Sequence, residues 1–368
     1  MHNTAESILV GLSGGVDSAV AALRLQQAGR AVAGVFMKNW EEDDRDGYCA
    51  AAEDLASARA VAAHLGIPLR AVNFSSEYWD RVFRRFLDEY RAGRTPNPDV
   101  FCNSEIKFRA FLDFALAQGA TAIATGHYAR LQRLADGRLA LLKGRDAAKD
   151  QSYFLHRLDQ QQLAHSRFPL GELDKGEVRR LARAAGLPNH GRKDSTGICF
   201  IGERRFRAFL ARYIDRTPGD IVSVEGEVLG RHQGLSFYTI GQRTGLGIGG
   251  RPQARQAPWY VAAKDPEGNR LLVAQGADHP ALHARGLRMT EIHWIASEPP
   301  ARPDGLAARI RYRQPDQACR LDGLDGDQAE VWFERPQRAI APGQACVIYQ
   351  GERCLGGGII QAALGTHI

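Results

Sequence analysis

The sequence predicts an α/β protein: a doubly wound parallel sheet at the N-terminus, then a small central domain and a C-terminal β-barrel. Three observations predict it. Short β-rich runs alternate with segments of helical period over the first 200 residues, as in a parallel sheet covered on both faces. Glycine and β-formers dominate after the break at "RTPGDIV" (216–222). From about residue 286, brief runs such as "ARIRYR", "QAEVWF" and "QACVIY" are separated by Asp-Gly and Pro-Gly turns, the pattern of a small barrel or sandwich.

Each element has a local reason. "SILVGL" (7–12), "AVAGVFM" (31–37), "LRAVNF" (69–74) and "ATAIAT" (120–125) are strand candidates. Between them, Trp79, Val82, Phe83, Phe86, Leu87 and Tyr90 form one apolar stripe at helical spacing. Phe108, Phe111, Leu112 and Ala115 mark a further helix. A third is expected over 204–214, with Phe206, Phe209, Leu210, Tyr213 and Ile214 inward and Arg204, Arg205, Arg207 and Arg212 off the stripe. Ligands of such sheets sit in the loops after the strands' carboxyl ends.

At 368 residues, two or three domains are expected. Nothing approaches 18 consecutive apolar residues, so a membrane span is not expected. The opening "MHNTAESILVGLSGG" lacks the charged and apolar regions of a secretory signal, which points to the cytoplasm. The six cysteines are scattered and form no C-x-x-C, excluding zinc-ribbon and thioredoxin readings. Free thiols are expected, any disulfide being transient and catalytic. The net charge is +6, and residues 190–216 carry seven Lys/Arg against three Asp/Glu, a cluster compatible with nucleic acid and equally with a solvated face.

The strongest chemical signal is "VGLSGGVDSAVAALRL" (10–25), where a strand enters Ser13-Gly14-Gly15 and then an alanine-rich helix. Adjacent glycines and a helix N-terminus make an anion cradle, although strand–Gly–Gly–helix turns also arise without a ligand. The loop lacks the lysine of a Walker P-loop. "GLGIGG" (245–250) fits G-x-G-x-x-G but follows no βαβ unit, so it is read as a plain turn. "TPNPDVFCN" (95–103) reads either as a stiff connector or as a platform for Asp99 and Cys102, three residues apart. "ATGHYAR" places Gly126 and His127 at a strand's ligand end, while "KDQSYFL" (149–155) reads as a polar turn on ordinary surface. In "KDSTGICFIGERR" (193–205), Cys199 has apolar neighbours inside a basic surround, leaving packing and thiolate chemistry both open.

"SGGVDS" resembles the pyrophosphate-binding loop of the ATP pyrophosphatases. With "FMKNWEEDD", "GRTPNPD", "CNSEIKF", "ATGHY", "KDQSYFL", "KDSTGICFIGER", "TIGQRTGLGIGG", "RYRQ", "PGQACV" and "CLGGGII", almost the whole chain resembles the bacterial tRNA-specific 2-thiouridylases. The resemblance implies a PP-loop catalytic domain (1–203), a tRNA-binding central domain (204–284) and the barrel (285–368). It implies ATP binding by Gly11, Leu12, Ser13, Gly14, Gly15, Val16, Asp17, Ser18, Met37 and Gly126, with Mg2+ arriving on the ATP and no metal held tightly by side chains. Asn97, Pro98 and Asp99 would meet the target base. His127, Lys149, Asp150, Gln151, Arg311, Tyr312 and Gln344 would meet the tRNA.

On the same resemblance Cys102 and Cys199 are the reactive pair, forming a transient disulfide, and Asp99 is the proton shuttle. Cys199 would carry a persulfide from a sulfur-relay protein or desulfurase, and the tRNAs would be those for Lys, Glu and Gln. The other four cysteines are assigned to packing. Two alternatives remain: another adenylating PP-loop enzyme, of the lysidine, 4-thiouridine or amidotransferase type, and a non-catalytic RNA-binding module. Nitrogen-nucleophile enzymes need no cysteine pair, and an RNA module would leave "SGGVDS" idle.

Overall fold

In the computed structural model, residues 6–41, 50–194, 206–248 and 257–365 are described. The first sheet is built from β1 (Ser7–Gly11), β2 (Ala31–Lys38), β3 (Leu69–Asn73), β4 (Ala122–Ala124) and a short β7 (Ser166–Arg167). Its order is β3-β2-β1-β4-β7, with every pairing parallel. β1 is central, Ser7 lying beside Ala31 of β2 and Ile8 beside Ala122 of β4. Alternation along β1 sends Ile8 and Val10 into one core with α1 (Val16–Gln27), α2 (Ala50–Leu65) and α8 (Lys175–Ala184). The opposite core takes Phe74, Phe86, Phe108, Phe111 and Ile123, so the sheet is covered on both faces as expected.

That second layer runs α3 (Ser75–Tyr78), a π-helical turn (Trp79–Phe83) and α4 (Arg84–Arg91), followed by α5 (Pro98–Phe101), a π-helical stretch (Cys102–Ala110) and α6 (Phe111–Ala117). The stripe from Trp79 to Tyr90 is one continuous ridge, with Val82, Phe83 and Phe86 buried. The π stretches were not legible in the periodicity; such segments are rare and concentrate at functional sites.

A hairpin, β5 (Ala129–Arg133) and β6 (Leu139–Lys143), leaves the first sheet and joins the barrel, where Leu142 pairs with Arg353 and Leu141 with Cys354. α7 (Gln160–Ala164) follows it. The expected helix over 204–214 is shorter: α9 spans Phe206–Leu210, and the amides of Arg212 and Tyr213 bond three residues back, tightening the chain out of α geometry. Phe209, Leu210 and Ile214 are buried as the stripe requires, while residues 204 and 205 lie outside the described residues.

The central region forms a four-stranded sheet from β8 (Gly219–Ser223), β9 (Val228–His232), β10 (Trp259–Asp265) and β11 (Arg270–Gln275), in the order β10-β11-β8-β9. The barrel is closed by β12 (His283–Trp294), β13 (Leu306–Arg309), β14 (Gln317–Asp325), β15 (Gln328–Arg338), β16 (Ala345–Gln350) and β17 (Arg353–Leu364). The ring runs β12-β15-β14-β13-β16-β17 and returns through β12–β17, with Leu287, Met289, Val331, Ile348 and Ile360 inside. Full closure removes sheet edges, which settles barrel over sandwich. "GLGIGG" follows no strand–helix unit, and its described residues, 245–248, lie in a loop.

Candidate nucleotide and base-modification site

The Gly-rich loop is built as its sequence demands. β1 stops at Gly11, and the Leu12 amide donates to Val35 O at 2.8 Å, fixing the turn against β2. Gly14 has φ +80°, and a Cβ there would stand 2.5 Å from Asp54 O. Its carbonyl accepts from Ser57 Oγ at 2.8 Å, Asn189 Nδ2 at 2.9 Å and Arg192 Nη1 at 3.2 Å. Gly15 is the N-cap of α1 and supplies no side-chain cap, so the first-turn amides face an open cradle. Ser18 Oγ accepts from the Ser13 amide at 3.2 Å and donates to Gly15 O at 3.0 Å, closing the loop on itself.

Neighbouring strands complete the cradle. A Cβ on Gly11 would lie 3.0 Å from Met37 Cε and 3.6 Å from a Phe111 ring carbon, so the end of β1 lies between β2 and α6. A Cβ on Gly126 would be 2.8 Å from both Asp17 C and Ser18 N. Gly11, Met37, Gly126 and the 13–18 loop therefore come together at the carboxyl edge of the sheet, as expected of a ligand crevice.

Asn97 caps α5, its Oδ1 accepting from the Asp99 amide at 3.2 Å, and Pro98 occupies the first helical position. Asp99 is half-buried, and Cys102, three residues on and on the same helical side, is 1% exposed at the start of the π stretch. The helix carrying Cys102 touches the crevice twice: through Phe111 above Gly11, and through Phe108, whose ring centroid lies 5.7 Å from that of His127.

A charged network runs behind the loop. Asp17 accepts from Tyr128 OH at 2.8 Å and from Lys175 Nζ at 2.7 and 2.9 Å. Burial first, and then the charge of Asp17, push the Tyr128 phenol upward, so it remains a donor. Gln151 Oε1 accepts from the Tyr128 amide at 3.0 Å. Lys175 also reaches Asp194 Oδ1 at 2.8 Å, and Asp194 is further held by Lys149 and Arg179, each at 2.7 Å. Burial pushes the Asp194 carboxyl up, but hydrogen bonds and charge from Lys149 and Lys175 outweigh it and hold it down at about 2.

The other expected contact residues are placed less uniformly. His127 is buried, bonded to Thr125 Oγ1 at 2.8 Å, and burial, followed by the charge of Lys107, lowers it well below the usual imidazole range. Asp150 faces the barrel: it bonds the amides of Gly144 and Ser152 and pairs with Arg309 at 2.7 Å. "KDQSYFL" is thus not ordinary surface, since Asp150, Ser152, Tyr153 and Leu155 are buried. That span follows the β5–β6 hairpin into the joint with the barrel, which sequence polarity could not reveal. Arg311 donates to Ala339 O at 2.5 Å, Tyr312 packs on Phe154 with ring centroids 4.5 Å apart, and Gln344 donates to Thr95 O at 2.7 Å.

Cys199 lies outside the described residues, as does Cys49. Burial pushes the Cys319 and Cys354 thiols up to about 12 and raises Cys346 well above its ordinary value, the behaviour of packing cysteines. Among the described residues no group of three or more His, Cys, Asp or Glu is arranged to hold a metal ion. None of their helices is long and apolar enough to cross a membrane. Sequence reasoning missed Tyr128, Lys175, Arg179, Asn189 and Asp194. A signal for two of them existed: Asp174 and Glu177 form a capping box that starts α8 and sets Lys175 and Arg179 on one helical face.

Fold and loop define a nucleotide-binding α/β domain of the PP-loop class, extended by a mixed β-sheet and a closed barrel. Family models agree in layout: "tRNA methyl transferase HUP domain" matches residues 6–203, the corresponding "PRC-barrel domain" 207–275, and "Aminomethyltransferase beta-barrel domain" 284–360. The tRNA-specific 2-thiouridylase MnmA of Alkalilimnicola ehrlichii is 59% identical over 97% of both chains, and that of Escherichia coli O157:H7 is 55% identical over the full length of both. The chain belongs to the tRNA-specific 2-thiouridylase family. Among solved structures, a 4-thiouridine synthetase–RNA complex with bound ATP overlaps 57% of this chain and 50% of its own, at 19% identity and a TM-score of 0.37.

Proposed function

We propose that this protein converts a wobble uridine of tRNA to 2-thiouridine, using ATP and a persulfide sulfur and releasing AMP and pyrophosphate. One observation carries the reading: the anion cradle at 13–18 and the helix bearing Asp99 and Cys102 meet at the same sheet edge, through Phe111 over Gly11. A phosphate-activating loop at the sheet edge reached by the helix that bears a buried thiol suits activation followed by sulfur chemistry.

The uridine is lifted from its stack towards Asn97–Asp99, because its C2 oxygen is otherwise inaccessible. That oxygen attacks the α-phosphorus of ATP, the bond to the β-phosphate oxygen breaks, and pyrophosphate departs into the cradle. The Ser13–Ser18 loop holds the anion, and Lys175 and Tyr128 keep the Asp17 carboxylate in place. Mg2+ bound to the nucleotide would supply charge neutralisation, Asp17 being the carboxylate that the loop offers. Asp99 shuttles the proton.

The terminal sulfur of a Cys199 persulfide then bonds to C2 and AMP leaves with the electron pair. The Cys102 thiolate attacks the Cys199 sulfur, the outer S–S bond breaks onto the base sulfur, and a Cys102–Cys199 disulfide forms. A dithiol reductant must return both thiols. Delivery as free hydrosulfide gives the same products. The substrates are the tRNAs for Lys, Glu and Gln, the sulfur donor is a persulfide-carrying protein, and the chain divides functionally at 203/204 and 284/285.

The test is mass spectrometry of nucleosides from tRNA treated with protein, ATP, Mg2+ and a persulfide donor. 2-Thiouridine that requires all four components supports the reading. AMP release without it, or a methylated base when a methyl donor is supplied, overturns it.

A further inference from the structure

Phe101 lies between Asp99 and Cys102 on the helix that bears them, and it is 8% exposed. Two arginines from separate segments lie over its ring. The guanidinium carbon of Arg85, on α4, is 4.1 Å from the ring centroid, and that of Arg157, just beyond the "KDQSYFL" span, is 5.2 Å away. Both distances fall within cation–π range. Arg85 keeps this place although its Nε is buried without a hydrogen-bond partner, a cost that a solvated arginine does not bear.

Two cations on one ring repel each other, and the residue that bonds both comes from the barrel. Glu291 of β12 accepts from Arg85 through its carboxylate, and from Arg157 Nη1 through its carbonyl at 3.2 Å. Burial pushes the Glu291 carboxyl up, but the Arg85 hydrogen bond and the charges of Arg85, Arg157 and Arg94 hold it below its ordinary value. The backbone is bent to make this reach. β12 loses register with β17 between Thr290 and His293, and Glu291 has φ +51°, uncommon for a residue with a side chain. His293 secures the same joint, its Nε2 donating to Leu158 O at 3.0 Å.

We infer that Glu291 is a positioning residue for the reaction: by holding Arg85 and Arg157 against Phe101, the barrel fixes the turn of helix that presents Asp99 and Cys102. Groups one or two residues away on a helix move with Phe101, and a misplacement of about 1 Å is enough to slow a step roughly a hundredfold. Arg85, Arg157 and Glu291 belong neither to the 13–18 loop nor to the charged network behind it, so ATP binding is spared. The inference rests on the reactive-thiol reading of Cys102 given above.

The experiment treats the reduced full-length protein with iodoacetamide and follows the labelling of each cysteine by peptide mass spectrometry, alongside steady-state thiolation. Cys102 and Cys354 are 1% exposed and Cys346 is 0% exposed, so the two barrel cysteines report general opening. For Glu291→Gln, which keeps the shape and removes the charge, Cys102 labelling rises at least fivefold while Cys346 and Cys354 stay within twofold of the parent. In the same variant kcat for thiolation falls about tenfold and KM for ATP stays within twofold. Glu291→Asp restores part of both effects. Should Glu291→Gln fail to fold, Arg85→Met shows the same pattern at about threefold, and Arg85→Lys behaves as the parent. Labelling that rises in step at all three cysteines, unchanged Cys102 labelling, or faster labelling with unchanged kcat overturns the positioning role. Cys102→Ser is the separate control: full thiolation by that variant removes the reactive-thiol reading and leaves the labelling result standing.

Discussion

Gln344 Nε2 donates to the carbonyl of Thr95 at 2.7 Å, and the Thr95 amide donates back to Pro342 O at 2.9 Å. The barrel loop at 342–344 therefore grips the segment that leads into Asn97, Pro98 and Asp99. Thr95 also bonds Thr239 of the central region, side chain to side chain at 3.2 Å, so three parts of the chain meet on one residue. Gly343 makes the approach possible, with φ +91° and a would-be Cβ only 2.9 Å from the Thr95 backbone. Gly343→Ala adds a left-handed penalty of about 1–2 kcal/mol and displaces the 95–99 segment. The expected result is roughly a tenfold loss in kcat/KM for tRNA, about 1.4 kcal/mol, with ATP affinity unchanged. Steady-state thiolation and ATP titration check it; an equal loss in ATP affinity contradicts it.

Gly14 and Gly126 test the cradle. At Gly14 a methyl meets Asp54 O at 2.5 Å in a left-handed conformation, and at Gly126 it meets the Asp17–Ser18 peptide at 2.8 Å. Both are contacts with backbone, which cannot rotate aside. Either alanine variant should raise the dissociation constant for ATP by tenfold or more, measured by calorimetry, while tRNA binding measured without nucleotide stays within about twofold. ATP affinity that is unaffected in both variants would remove the 13–18 loop from nucleotide binding.

Asp150 separates a joint from an RNA contact. Its side chain is 2% exposed and its partner Arg309 is 12% exposed, held also by Asp316. Breaking a buried pair leaves a desolvated charge, so Asp150→Ala should lower the unfolding free energy by about 3 kcal/mol. Urea denaturation measures this. Wild-type stability combined with weaker tRNA binding would instead place the carboxylate on the RNA.

Much of this architecture was readable because local and global signals agree. The alternation of β-runs with the Trp79–Tyr90 stripe specified the doubly wound sheet, and the Asp-Gly and Pro-Gly turns specified the barrel strands. The nucleotide loop was readable because its glycines serve backbone conformation, a local property. What stayed hidden was long-range. Nothing near Leu141 says that it will pair with Cys354 over 200 residues later, and so the "KDQSYFL" turn looked exposed. Lys175 and Asp194 carry no local mark of the pairing between them, which exists only because α8 packs against α1 beside the loop.

Acid sensitivity follows from imidazoles lowered by burial, His156 and His127 together with His293 and His232. Burial lowers His156 to about 3, against an opposing hydrogen bond to Tyr153 O, and lowers His127 well below the usual range. Below pH 6.5 the unfolded chain protonates these rings and the folded chain does not, so stability falls as pH drops. The slope is about 1.4 kcal/mol per pH unit for each histidine. Asp194 acts in a different window, because a carboxyl held at about 2 loses its contribution only between about pH 4 and 2. A decline between pH 6.5 and 4.5 therefore belongs to the imidazoles. His156→Gln, which can still donate to Tyr153 O, should unfold at lower urea than the parent at pH 7.5. It should also lose about 1.4 kcal/mol less for each pH unit between 6.5 and 4.5. Parallel pH profiles for the two proteins would show that His156 is not the group that titrates.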